Sequence, residues 1–96
     1  MRSWFRAHRA LGLLREGRQA EASATIETAV ADIAETGERW PEPIVVAVLA
    51  EVRAAQGADP AEISALLAKA ATLIAQQGSL GLTRWIDEAA ARLLTT

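Results

Sequence analysis

The chain has 96 residues, a net charge of −2, a hydrophobic fraction of 51% and no cysteine. That is one small domain able to bury a core, with no disulfide framework and no thiolate zinc site. The acidic balance argues against nucleic acid or a membrane surface as partner. With no signal-peptide pattern and no apolar run near ~18 residues, the expectation is a soluble, cytoplasmic protein. Nine of the ten basic residues are Arg, a composition typical of GC-rich bacterial genomes.

In chain order, the first segment spans Ser3 to Glu16, with Ser3 as N-cap and Gly17 as stop. Trp4, Phe5, His8 and Leu11 recur there at helical spacing, and five arginines before residue 20 make this end basic. Gly12 costs about 1 kcal/mol of helix propensity, which predicts a packing reason: close approach of a neighbouring helix. The second segment, Gln19 to Thr36, is amphipathic, with Ala22, Ile26, Ala29, Val30 and Ile33 on its apolar stripe and Glu21, Glu27, Asp32 and Glu35 off it. A basic helix followed by an acidic one favours antiparallel pairing.

Glu38 to Pro43 is a connector, because each of its two prolines biases the preceding residue to extended backbone. Trp40 within it is expected to staple two helices together. The third segment, about Glu42 to Gln56, contains the β-branched run Ile44-Val45-Val46-Ala47-Val48-Leu49, which alone could be a buried strand. The pattern Val45, Val48, Leu49, Val52 and the helix-forming flank Ala50 to Gln56 favour helix. A corner follows at Gly57 to Ile63, where Asp59, Pro60 and Glu62 fit N-cap, N1 and a capping box. The fourth segment, Pro60 to Gln77, presents Ile63, Leu66, Leu67, Ala70, Leu73 and Ile74 on one face and stops at Gly78. The fifth, Leu80 to Leu94, follows Ser79 as N-cap and has Leu82, Trp85, Ile86, Ala89 and Leu93 at core spacing. The fold class is all-α: about five helices in antiparallel hairpins.

Gly17, Gly37, Gly57 and Gly78 stand 20, 20 and 21 residues apart, which is a helix-hairpin repeat of about forty residues. Gly17-Arg18-Gln19-Ala20-Glu21-Ala22 precedes Ile26, Ala29 and Val30; Gly57 through Glu62-Ile63 precedes Leu67, Ala70 and Ala71. A glycine after helix A, a Glu-Ala pair, then an apolar residue and alanine in helix B resemble the tetratricopeptide repeat. The first helix A departs from the family's Trp-Leu-Gly-Tyr positions, having Arg6, Arg9, Ala10 and Leu13. The second has Val46, Leu49, Ala50 and Arg53. Thr36 to Trp40 and Ala54 to Glu62 are similar to degenerate repeats at the C-terminal end of LuxR-type activators with an ATPase module and of adenylate-cyclase-linked regulators. The resemblance implies an α-solenoid fragment with repeat one at about 3–37, repeat two at about 42–78 and a capping helix at about 80–94.

The resemblance further implies that Trp4, Leu11, Ile44, Glu51, Trp85, Glu88 and Arg92 face a concave groove for a peptide or partner helix. The competing reading has both tryptophans covering the ends of a small core. His8 has no second histidine or cysteine for a metal site, so a surface or satisfied histidine is expected. Asp87 and Glu88 alternate with core positions, as on a solvated face, rather than forming an acid–base pair. No phosphate loop, nucleophile elbow or dinucleotide fingerprint is present, so no catalytic residue, cofactor or metal is assigned. The expected function is a non-catalytic protein-interaction or oligomerisation module of a bacterial regulatory protein, with a protein, a peptide or a second copy as partner. The alternatives are a small all-α ligand sensor and a plain helical dimerisation bundle.

Overall fold

A computed structural model describes residues 2–37, 39–77 and 83–94. These form five helices: α1 (Arg2–Arg15), α2 (Gln19–Thr36), α3 (Glu42–Ala55), α4 (Pro60–Gln77) and α5 (Thr83–Leu94). No strand occurs among the described residues, so the β-branched run of α3 is helical. Gly78, Ser79, Leu80 and Leu82 lie outside the described residues.

The helices are joined by two corners of the same design. At the first, Arg18 N–H donates to Leu13 O at 2.9 Å and Gly17 N–H to Leu14 O at 3.0 Å. At the second, Ala58 N–H donates to Arg53 O at 3.0 Å and Gly57 N–H to Ala54 O at 3.0 Å. Both pairs are Schellman closures, which need a left-handed residue at the bend; Gly17 and Gly57 supply it with φ of 80° and 82°. Beyond the second corner Asp59 Oδ1 accepts the N–H of Ala61 at 3.0 Å. Asp59 therefore caps the helix as expected, but through the N–H of Ala61, one residue before the Glu62 N–H that a capping box uses.

α3 is the centre. It packs against α1, α2, α4 and α5; α1 also packs on α2, and α4 on α5. Pro43, Ile44, Val45, Val46, Ala47, Val48, Ala50, Glu51 and Val52 are all buried, so this helix is enclosed nearly all round. Tertiary burial of this kind outweighs the modest helix penalty of β-branched side chains. Ile44, Val45, Val48 and Val52 join Ala7, Ala10, Leu11 and Leu13 of α1 and Ala22, Ile26, Ala29 and Ile33 of α2 in one cluster. On its other side, Val46 and Ala47 meet Ala70, Ile74 and Ile86, while Ala50 meets Ile63, Leu67 and Ala89. The buried positions of α2 recur in α4 as Ile63, Leu67, Ala70 and Ile74, so Ile63 takes the place of Ala22.

Three local expectations are corrected, and the start of α3 is as expected. A Cβ on Gly12 would meet nothing within 4 Å, so no helix approaches it closely. Ser3 is inside α1, and its buried hydroxyl has no hydrogen-bond partner; it does not cap the helix. α3 begins at Glu42, as its pattern predicts, between the two prolines, where the missing N–H of Pro43 leaves no hydrogen bond unmade. Trp40 is 50% exposed, and the tie across that end is instead the Gln77 side-chain amide donating to Arg39 O. The pairing of basic α1 with acidic α2 is made by Arg6 and Asp32.

These backbone facts separate two glycines. Gly12→Ala is expected to stabilise the protein by about 0.5–1 kcal/mol in urea unfolding, whereas Gly57→Ala is expected to cost about 1–2 kcal/mol. Destabilisation by Gly12→Ala would reveal a contact on the outer face of α1.

Candidate functional site

The residues expected to form a groove divide in the structure. Leu11 and Ile44 are only 9% and 5% exposed and belong to the core cluster shared by α1, α2 and α3. They fill the contact between α1 and α3 and are covered, which corrects their assignment to an open surface. Trp4 is half-buried on the same cluster, edge-on to Phe5 with centroids 5.1 Å apart and to His8 at 4.3 Å. The Trp85 side chain lies outside the described residues.

Glu51, Glu88 and Arg92 do come together. With Arg15 and Ala89 they line a cavity of about 240 Å³ between α1, α3 and α5. Glu51 is the unusual member, the charged residue of α3 that is buried, at 6% exposure. Burying such a charge is costly without a partner; Arg92, reaching from α5, donates to Glu51 Oε1. This is the polar tie between α3 and α5, and it anchors the last helix to the centre.

A second surface was not anticipated. α2 and α4 flank α3 and leave an apolar groove above it. One lobe, of about 330 Å³, is lined by Val30, Ile33 and Ala34 of α2, Val45, Val46 and Leu49 of α3, and Leu66 of α4, with Arg39, Glu42 and Lys69 around them. An adjoining lobe of about 320 Å³ is lined by Glu27, Val30, Ala31, Ala34, Leu49 and Arg53. Val30, Ala34 and Leu49 line both lobes, so the two run together. Val30 is 40% exposed, although its spacing puts it on the apolar stripe. Setting α4 beside α2 offers the missed signal: in the shared burial register the α4 residue matching Val30 is Ala71, so valine is surplus to what the core needs.

Most charges at the groove are already paired. Arg39 Nη1 lies 3.3 Å from Glu42 Oε1, and Arg53 Nη2 lies 2.7 Å from Glu27 Oε1, bridging α3 to α2. Among the described residues no group of three or more His, Cys, Asp or Glu side chains is placed to hold a metal ion, and no helix is long and apolar enough to cross a membrane. Comparison with protein-family models, curated proteins and solved structures gives no match to this chain.

The Glu51–Arg92 tie can be tested by a double-mutant cycle. Arg92→Ala should cost about 1–3 kcal/mol in urea unfolding, because it strands a buried carboxylate. Adding Glu51→Gln should recover much of that loss. Additive losses would show that the two groups are not coupled.

Proposed function

We propose that this chain is a non-catalytic protein-interaction module, a short tetratricopeptide-like α-solenoid of a bacterial regulatory protein acting in the cytoplasm. Three features support the repeat reading: Schellman corners at Gly17 and Gly57, a shared burial register in α2 and α4, and packing of each helix on its near neighbours in the chain. Stacked hairpins of this kind create extended surfaces between helices, and such surfaces serve as docking sites.

The observation that carries the function is the apolar groove between α2, α3 and α4, with Val30 40% exposed on its wall. Valine, leucine and alanine side chains with charged residues at the rim suit an amphipathic helix, whose apolar face would lie in the groove. The cavity formed by Glu51, Glu88 and Arg92 offers a smaller, charged contact on the opposite side of α3. A second reading, a small-ligand sensor, is favoured by the volume of the larger lobe. Its roughly 330 Å³ lies at the lower end of the range of small-molecule pockets, about 300–1,000 Å³.

The two readings separate in one pair of experiments on the full chain. Against a panel of amphipathic helical peptides, the interaction module is expected to show micromolar binding by fluorescence anisotropy. Val30→Glu, an exposed substitution that should keep the circular dichroism spectrum, is expected to weaken it at least tenfold. A saturable thermal shift with a metabolite or nucleotide, and no peptide bound, would overturn the proposal in favour of the sensor.

A further inference from the structure

We infer that the groove between α2, α3 and α4 is covered in solution by a second copy of this chain, related by a two-fold axis. The inference rests on the interaction-module reading and names the partner. Three observations on this face point to self-recognition.

The first is a knob beside a hole. Trp40 is 50% exposed, and its neighbour Arg39 lines the larger lobe of the groove. A half-exposed indole is an expensive group to leave in water, and tryptophan is among the residues most often found anchoring interfaces. Trp40 follows directly on the groove-lining Arg39 in the chain, so a two-fold axis close to this connector can bring each Trp40 to the groove of the other copy. That is the self-complementary arrangement an isologous dimer needs.

The second observation is charge. Four of the five charged residues lining the groove are satisfied within the chain, as the pairs Arg39–Glu42 and Arg53–Glu27. Lys69 is the fifth, and among the described residues it has no ion-pair partner. Glu35, one turn beyond Ala31 on α2 and exposed, is likewise without one. A second copy supplies the missing opposite charge to each, twice over by symmetry. The pairing raises both the encounter rate and the specificity of the face for itself.

The third is surface relief. Ala31 and Ala34 on the α2 wall are exposed and small, so the backbone of a facing helix can come near.

Sedimentation velocity of the full chain from about 1 to 500 µM tests this, with circular dichroism confirming that each variant is folded. The expected result is a concentration-dependent rise from monomer to dimer mass. Trp40→Ala should weaken the dimer at least tenfold, Lys69→Glu should weaken it about three- to tenfold, and Lys69→Glu with Glu35→Lys should restore it. A monomer at every concentration would overturn the second copy as occupant, while the peptide titration still decides the interaction module separately. A dimer indifferent to both Trp40→Ala and Lys69→Glu would place the contact elsewhere and overturn the groove assignment.

Discussion

Everything in this structure hangs on the enclosure of α3. A 14-residue helix with apolar side chains on most of its circumference is unstable alone, because it exposes surface on every side. Each buried valine or isoleucine contributes roughly 1.5–3 kcal/mol once covered, and α3 needs four other helices to cover it. The α1–α2 hairpin closes over Ile44, Val45, Val48 and Val52; α4 and α5 close over Val46, Ala47 and Ala50. Among the described residues, the helices on either side therefore share no core except through α3. The buried Glu51 fits this picture as the one polar exception, placed where α5 can answer it with Arg92.

The same enclosure explains where surfaces remain open. Helices α2 and α4 mix alanine with polar residues on their outer sides and bury only one narrow stripe each. They sit on α3 without forming a close contact with one another of the kind each makes with α3. The trough between them is floored by Val45, Val46 and Leu49. Apolar floor and charged rim are what a docking face requires, and the rim is mostly neutralised by local pairs, leaving little charge to be desolvated on binding. On the opposite side Leu11 and Ile44 are both buried in the core cluster of α1, α2 and α3.

Helix limits were the most legible part of the sequence. Glycine at φ near 80° and proline at a first turn are geometric necessities, so Gln19–Thr36 and Pro60–Gln77 are bounded as their punctuation requires. The helical state of the valine run also followed, since its flanks are strong helix formers. What periodicity could not give was the depth of each residue. Val30 and Ile33 both continue the stripe of α2, yet one is 40% and the other 6% exposed. The difference is tertiary: Ile33 joins the core cluster of α1, α2 and α3, whereas Val30 stands on the wall of the groove. Leu11 and Ile44 failed as groove residues for the same reason, because an A-helix face is open or closed according to how tightly successive hairpins stack. Gly12 shows the opposite error: a helix-weakening residue invited a packing explanation where there is only open solvent. Of the seven anticipated site residues, Glu51, Glu88 and Arg92 do share a cavity, and the shared feature is the charge that each helix contributes.

If α3 is the element on which the others depend, its amides should open only when the whole molecule unfolds. Native-state hydrogen exchange measures this directly. The amides of Val45 to Val52 are expected to exchange with the free energy of global unfolding, while those of α1 and α5 open at lower cost as their hairpin partners let go. Faster exchange in α3 than in α2 or α4 would contradict a fold centred on that helix.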